Sequence, residues 1–287
     1  MGGIYIKNKW LPYLLICPTI IMICIFKIYP IVDSVIQGFA SADHSFTLDN
    51  YKHLFADKTF WNSLKVTLKF NVIIIPLQII VSFIMALFVN VKVRGIEIFR
   101  TIFYLPFCIS LTISTVIWQM MLNVNNGVVN SMLGVLGLKP VGFLIDKKWA
   151  LLSIVLISSW RGCAYWMMFI LAGLKGIDSA VYESAKIDGS GFFNTLFRIT
   201  IPLLKNTWLF VLVANTTANF LLFAPMQIAT DGGPQGSTNV LMYEAYKSAF
   251  KYSNRPRQAC LVTILLIIVM LVCLVQNRFM TEKEARK

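Results

Sequence analysis

The sequence has few charged residues, and acidic ones are the scarcest. Only 14% of its 287 residues are charged, and the 13 Asp and Glu residues are outnumbered two to one by 26 Lys and Arg. Soluble globular proteins carry about 25% charged residues, so the composition argues against a soluble domain. The two histidines, His44 and His53, stand apart in a polar segment and predict no metal site.

Cysteine spacings typical of disulfide frameworks or metal centres are also lacking. None of the six cysteines forms a C-x-x-C pair, and all lie within or at the edge of apolar runs. We therefore expect six free thiols packed among apolar groups. They are Cys17, Cys24, Cys108, Cys163, Cys260 and Cys273.

Nucleotide-binding and catalytic signatures are missing as well. The chain has no G-x-x-x-x-G-K-[ST] loop to hold nucleotide phosphates, and its nearest Gly-rich stretch, residues 134–139, has the wrong spacing. There is no paired acid and base and no nucleophile with a partner, which disfavours a membrane enzyme. If ATP hydrolysis drives this protein, another chain must bind the nucleotide.

Long apolar runs are what the sequence does contain, since 57% of its residues are hydrophobic. An apolar helix of about 18 or more residues crosses the ~30 Å hydrocarbon core, whereas a lipid-facing barrel shows ~10-residue alternating segments. The sequence therefore predicts an all-α bundle of six membrane spans, the second of which tolerates Pro76 as a kink. The spans are roughly Leu11–Val32, Phe60–Val89, Phe99–Leu122, Trp149–Leu174, Pro202–Ile228 and Ala259–Phe279.

The basic residues give the expected orientation. They lie at the ends of apolar runs rather than in one patch, so the net charge of +13 does not indicate nucleic-acid binding. Segments 1–10, 90–100, 175–205 and 278–287 are richer in Lys and Arg than the other connections, which predicts that both termini are cytoplasmic. We expect the first span to be uncleaved, although an A-x-A triplet at residues 40–42 follows it.

The segment between the fourth and fifth spans has its own helical pattern. Asp178 can cap a short helix that starts at Ser179, and Gly189 can end it in a left-handed conformation. Apolar residues from Phe192 to Thr200 then recur at helical spacing, and Pro202 begins the next span. The apolar face of the short helix contains Ile177, Val181 and Ala185. Periodicity alone leaves two interpretations, an ordinary interfacial loop and a docking element.

This segment resembles the EAA motif of the permease subunits of bacterial ABC importers. That motif reads E-A-A, three residues, G, nine residues and I-x-L-P. Every spacing is kept here, with Ser184 in place of Ala and Ile201 in place of Leu. The matching residues are Glu183-Ser184-Ala185, Gly189 and Ile199-Thr200-Ile201-Pro202.

A second stretch is similar to a signature of the carbohydrate-uptake permeases of the maltose type. It is Thr230-Asp231-Gly232-Gly233-Pro234, followed by Ser237-Thr238. The likeness to this family covers nearly the whole chain and all six spans. It implies the type I ABC importer permease fold in a single domain, residues 1–287, with a core at about 60–280 and a coupling segment at about 176–202.

The resemblance also implies a mechanism and a set of partners. A short coupling helix would dock in a groove of a separate ATPase and pass its movement to the spans. ATP and Mg would be bound by that partner, with no cofactor in this chain. The expected assembly contains a second, homologous but different permease chain, two ATPase subunits and an extracellular solute-binding protein at the bacterial cytoplasmic membrane. The implied coupling contacts are Asp178, Tyr182, Glu183, Ala185, Asp188 and Gly189.

Polar residues inside spans four and five are candidates for the solute pathway, because polar side chains in hydrocarbon usually face a protein interior or a water-filled path. In the maltose-type relatives, residues of these two spans contact the sugar. The candidates are Ser158, Arg161, Gly162 and Tyr165, which share one helical face, and Asn215 and Asn219, which are spaced by four.

Each candidate set also has a structural interpretation. The asparagine pair could join helices by hydrogen bonds, and Arg161 could pair with an acid or with carbonyls of a neighbouring span. The charge of Arg161 in addition suggests an anionic substrate, such as an acidic sugar or a sugar or glycerol phosphate.

Two alternatives to a sugar importer permease stay open at this point. An ATP-independent secondary transporter or channel would lack the EAA spacing and often carries inverted repeats, which we do not find. A permease for a non-sugar solute such as glycerol phosphate is closer, because only the Gly-Gly-Pro stretch argues against it.

Overall fold

The structure is a computed structural model that describes residues 10–41, 43, 45–91 and 93–282. Lys7, Lys9, Ala42 and His44, on which parts of the sequence predictions depend, lie outside the described residues. The described residues form helices and loops, with one isolated antiparallel bridge between Ala40 and Phe46. The prediction of an all-α chain is confirmed, and the six cysteines are free thiols as expected.

The described part of the chain forms fifteen α-helices and three π-helical segments. The π-helical segments are Cys24–Ile28, Leu196–Thr200 and Lys247–Lys251. The α-helices are α1 (Leu11–Ile23), α2 (Tyr29–Gly38), α3 (Asp49–Ala56), α4 (Lys58–Val89), α5 (Ile96–Cys108), α6 (Leu111–Met121), α7 (Val128–Val135), α8 (Ala150–Lys175), α9 (Ser179–Ile187), α10 (Phe192–Thr195), α11 (Ile201–Leu203), α12 (Lys205–Phe220), α13 (Ala224–Ala229), α14 (Leu241–Tyr246) and α15 (Arg255–Glu282).

Five of the six predicted spans correspond to helical stretches that are long and apolar enough to cross a membrane. The first extends further than predicted, to Gly38, and the second runs through Pro76 as one helix. The stretches are Tyr13–Gly38, Lys58–Val89, Ala150–Lys175, Lys205–Ala229 and Arg255–Phe279.

The third predicted span, Phe99–Leu122, is not a straight helix. The chain bends by 94° between α5 and α6, so the count is six only if this bent pair is one span. The bend has a local cause. Ile109 takes an extended conformation, and the hydroxyl of Ser110 accepts a hydrogen bond from the Ile113 N–H at 3.3 Å, which caps a new helix.

The contacts of the chain fall into two compact units. The first contains the described residues up to Asp57 together with Ala245–Ile264. Within it, an ion pair of 2.5 Å joins Asp57 to Arg257, and Arg257 also donates to the Ser248 hydroxyl at 3.3 Å. These polar contacts join the segment before α4 to the first turns of α15.

The second unit contains Lys58–Glu244 and the chain from Leu265 onward, and its centre is the contact of α4 with α8 and α12. Because lipid tails are as apolar as leucine side chains, packing and interhelical hydrogen bonds stabilise such a core rather than removal from water. The side chain of Arg100 donates twice to the carbonyl of Val89 and so satisfies the end of α4. The core cluster consists of Ala86, Val89, Trp166, Met167, Ile170, Leu171, Leu174, Leu204 and Val211.

Candidate substrate pathway and coupling segment

A small cavity of about 170 Å³ lies where α4, α8 and α12 meet beside the break between α5 and α6. All four residues of the polar face predicted on the fourth span line this cavity, and the fifth span contributes Asn219. Asn215 is fully buried one turn away from Asn219. Five of the six predicted pathway residues therefore share one cavity. They are Ser158, Arg161, Gly162, Tyr165 and Asn219.

Arg161 is half-buried at this cavity. Its Nε donates to the carbonyl of Ile109 at 3.1 Å, and its guanidinium lies 4.4 Å from the ring centroid of Phe107. Among the residues that the structure describes, no acidic side chain pairs with it. The structure therefore shows the carbonyl contact, which is one of the two structural interpretations of Arg161. The positive charge of Arg161 faces the cavity.

The asparagine pair makes the interhelical hydrogen bond that its structural interpretation predicts. The Nδ2 group of Asn219 donates to Oε1 of Gln78 at 2.9 Å and also contacts the backbone carbonyl and the side-chain oxygen of Asn215. Gln78 in turn donates to the carbonyl of Ser158 at 3.4 Å. One glutamine of α4 thus joins α8 to α12 at the edge of the cavity.

Tyr165 does not present an open ring face on both sides. Its ring stacks on Phe107 at 4.5 Å between centroids, and the edges of Trp166 and Phe169 approach it at 4.7 and 5.0 Å. The aromatic wall of the cavity is therefore a packed group of rings.

Six residues that line the cavity are missing from the sequence prediction, and two of them, Gln78 and Phe107, contact the predicted residues through polar or ring interactions. Gln78 had a signal, because it is an amide in the middle of an apolar run, two residues after Pro76. No feature of the sequence distinguished Phe107, since aromatic residues are common throughout the spans. Its role depends on the bend that follows α5.

The coupling segment has the short helix that the sequence predicts. Its first turn is capped by Asp178, whose carboxylate accepts from the Ala180 N–H at 3.0 Å. At its end Gly189 has a φ of +74°, and the Ser190 N–H donates to the Ala185 carbonyl at 2.9 Å. With the Gly189 N–H bonded to the Lys186 carbonyl, this is a complete Schellman motif.

The predicted coupling contacts occupy different faces of this helix. Ala185 is buried, and the hydroxyl of Tyr182 lies 3.3 Å from that of Thr200, which links α9 to the π-helical segment that precedes the fifth span. Glu183, Asp188 and Gly189 are exposed. The helix therefore has an anchored side and an open side.

The helix predicted from the spacing of residues 192–200 is present, and it contains a π-helical turn. Residues 192–203 form α10, a π-helical segment and α11 in succession. Pro202 lacks the N–H that would bond to the Arg198 carbonyl in an α-helix, and the backbone changes to i→i+5 bonding just before it. Phe192, Phe193 and Phe197 are nonetheless exposed together, as expected for an interfacial segment.

The Gly-Gly-Pro stretch closes a tight loop. The hydroxyls of Thr230 and Thr238 lie 2.7 Å apart, and Thr238 also donates to the Gly233 carbonyl at 2.9 Å. Gly232 has a φ of +79°, and a Cβ there would lie 3.1 Å from the ring of Tyr243. The residues of the signature therefore stabilise the conformation of the loop that contains them.

Residues 78–284 match the family model described as the binding-protein-dependent transport system inner membrane component. The chain belongs to this family. The permease is thus the transmembrane transport subunit of an ABC importer and not an enzyme, as the EAA spacing predicts. No group of three His, Cys, Asp or Glu side chains that could hold a metal ion lies within the described residues.

Individual relatives agree with this assignment over the full chain. The permease is 30% identical over 292 residues to the sn-glycerol-3-phosphate transport system permease protein UgpA of Agrobacterium fabrum, covering 99% of each chain. The corresponding protein of Salmonella choleraesuis is 28% identical over 96% of each chain.

A solved structure shows the same fold. The crystal structure of a bacterial ABC transporter involved in the import of the acidic polysaccharide alginate superposes with a TM-score of 0.86 and 25% identity, covering 96% of this chain and 97% of that one. The fold is therefore that of an ABC importer permease, as predicted.

Proposed function

We propose that this permease forms half of the translocation pathway for an anionic sugar or sugar derivative and couples to a separate ATPase through α9. The observation that carries the proposal is Arg161, a cation at a cavity within a membrane span that polar and aromatic side chains line together. A charge at this depth is costly in a membrane and typically marks a substrate path. The guanidinium has no acidic partner among the described residues, and an anionic group on the solute would supply one.

The relatives support the anionic class. The two related permeases are named for sn-glycerol 3-phosphate, and the solved transporter imports an acidic polysaccharide. Both solutes combine hydroxyl groups with a negative charge. Glycerol phosphate is the second candidate, because it has the same chemistry in a smaller molecule.

The size of the cavity supports a shared pathway. Pockets for small molecules usually measure about 300–1,000 Å³, and this one measures about 170 Å³. A second permease chain would complete it. The proposed assembly therefore has two permease chains, two ATPase subunits that bind ATP and Mg, and an extracellular binding protein, with both termini of this chain in the cytoplasm.

The anchored coupling helix supports mechanical coupling. Its two ends are fixed by the Asp178 cap and the Gly189 turn, and Tyr182 links it to the π-helical segment that leads into the fifth span. A short stiff helix of this kind passes a rigid-body shift of its partner to the attached spans. Glu183 and Gly189 on the open side are the proposed contacts.

Competition for uptake tests the substrate class. Cells that express the whole transporter would be assayed with sn-glycerol 3-phosphate and glucuronate against neutral glycerol and glucose, in the wild type and in Arg161→Leu. We expect the anionic probes to lose at least tenfold in competition and the neutral ones to change less than twofold. Arg94→Leu, which removes an exposed cation from a loop, is the matched control. Equal loss of both classes would remove charge recognition from the proposal.

Crosslinking tests the coupling. A photoreactive group at Glu183 should trap the ATPase subunit in membranes, and co-expression of the permease should stimulate ATP hydrolysis by that subunit. Uptake that continues unchanged without the ATPase would contradict the coupling mechanism.

A further inference from the structure

Gln78 occupies an unusual place for a glutamine. It lies on α4 with only 2% of its surface exposed, and its amide contacts two other helices. We propose that Gln78 is a specificity-determining latch: its amide bridges α8 and α12 across the cavity, and hydroxyl groups of the solute compete with it for Asn219 and Ser158. This inference rests on the proposed function, since it takes the cavity as the solute path.

The first argument is steric. A Cβ built on Gly162 would lie 2.3 Å from Nε2 of Gln78 and 2.8 Å from its Cδ, closer than non-bonded heavy atoms approach. The amide of Gln78 thus occupies the space that any other residue at position 162 would fill. The absence of a side chain at Gly162 leaves the room on the surface of α8 that the Gln78 amide occupies.

The second argument is that the latch bonds are easily exchanged. The Nδ2 group of Asn219 has two hydrogens but faces three acceptors, Oε1 of Gln78 and two oxygens of Asn215. The bond from Gln78 to the Ser158 carbonyl is long, at 3.4 Å. Each of these two bonds is therefore weaker than a hydrogen bond of ordinary length whose donor faces no competing acceptor.

The third argument is unused hydrogen-bonding capacity at the same place. The Ser158 side chain is 4% exposed and lines the cavity, yet its hydroxyl makes no hydrogen bond within the described residues. The Nδ2 group of Asn215, one turn from Asn219, is likewise buried without a partner. A sugar hydroxyl both donates and accepts, so it can bond to Ser158 while it replaces Gln78 at Asn219.

Labelling in the assembled transporter tests the latch without any solute. Ser158→Cys would be the reporter, treated with 2-sulfonatoethyl methanethiosulfonate in nanodiscs, and peptide mass spectrometry would separate it from the six native cysteines. We expect at least fivefold faster labelling when Gln78→Met removes the amide at similar side-chain size. Gly162→Ala, which displaces the amide, should accelerate labelling equally, and the double variant should be no faster than either.

Ser82→Ala is the matched control for these variants. Ser82 is one turn further along α4, is fully buried and bonds to the Cys163 carbonyl at 3.1 Å, but it does not line the cavity. Its loss should leave the labelling rate unchanged. Equal rates in the wild type and both latch variants, or acceleration by Ser82→Ala as well, would overturn the latch.

Uptake kinetics test the specificity. With sn-glycerol 3-phosphate as the probe in proteoliposomes, Gln78→Met removes the competing amide and should lower KM about 2- to 10-fold, the effect of one neutral hydrogen bond, with kcat within about twofold. A raised KM would contradict the competition. A fall in kcat at unchanged KM would mean a purely structural role and overturn the proposal. If the wild-type transporter takes up neither sn-glycerol 3-phosphate nor glucuronate under ATP hydrolysis, the proposed function and the specificity fail together, whereas the labelling rates still decide the latch.

Discussion

Arg161 and Phe107 form a cation–π pair, with 4.4 Å between the guanidinium carbon and the ring centroid. The same guanidinium donates from Nε to the carbonyl of Ile109, where the chain leaves α5 in an extended conformation. A carbonyl at a broken helix end has no partner within its own helix. The bend between α5 and α6 therefore provides both contacts that hold the cation at the cavity.

Arg161→Lys should impair uptake of anionic solutes although it keeps the charge. The planar guanidinium of Arg161 stacks on Phe107 and donates to the Ile109 carbonyl at the same time. A lysine ammonium is a compact point charge that cannot make both contacts together, so the cation would lose its fixed position. A cation–π contact is worth about 0.5–2 kcal/mol, and we expect KM for sn-glycerol 3-phosphate to rise about 3- to 30-fold. An Arg161→Lys variant with wild-type KM would show that charge alone suffices.

Gly173→Ala should destabilise the contact of α8 with α12. Its added Cβ would lie 2.4 Å from Oγ1 and 2.8 Å from Cγ2 of Thr207, and overpacking of this kind costs about 1–3 kcal/mol. Thermal unfolding in detergent would measure the loss. Because both atoms belong to Thr207, the double variant with Thr207→Ala should recover most of the stability; failure to recover would place the strain elsewhere.

Gly189→Ala should weaken coupling more than Gly191→Ala. Both glycines have open space around a built Cβ, but only Gly189 has a positive φ, of +74°. An L-residue in that conformation costs about 1–2 kcal/mol, which would loosen the end of α9. We expect severalfold lower stimulation of the ATPase for Gly189→Ala and no change for its neighbour. Equal effects would exclude the left-handed turn as the cause.

Thr67→Val should loosen the loop that follows the Gly-Gly-Pro signature. The hydroxyl of Thr67 accepts a hydrogen bond from the buried Leu241 N–H at 2.7 Å, and valine would leave that donor unpaired at a cost of about 1–3 kcal/mol. The readout is the unfolding temperature of the purified transporter. Thr101→Val, which removes only an exposed bond within α5, should change it little. Similar shifts for both would contradict the anchoring role.

The helical parts of the coupling segment could be predicted because their causes are local. Asp178 and Gly189 act within one turn of their own helix, so their residue types and positions suffice. The π-helical turn in the helix at residues 192–203 was not predicted, although its cause is also local, because Pro202 removes a donor and the backbone becomes π-helical just before it.

The candidate site could be predicted only in part. The face of Ser158, Arg161, Gly162 and Tyr165 follows from helical spacing, and the structure places all four at one cavity. Gln78 and Phe107 reach the same cavity from other helices, and no spacing in the sequence relates them to Arg161. The bend after Cys108 escaped prediction because apolar residues continue through it.

By itself, the sequence determined that this chain is a helical membrane protein, where five of its spans lie and which segment carries the EAA spacing. These properties depend on runs and spacings along one chain, and a bilayer enforces them because each helix must satisfy its own backbone. The tertiary structure alone decided that Gln78, Gly162, Asn219 and Phe107 surround one cavity. That meeting depends on how separate helices pack and rotate against each other, and side chains far apart in sequence determine it jointly.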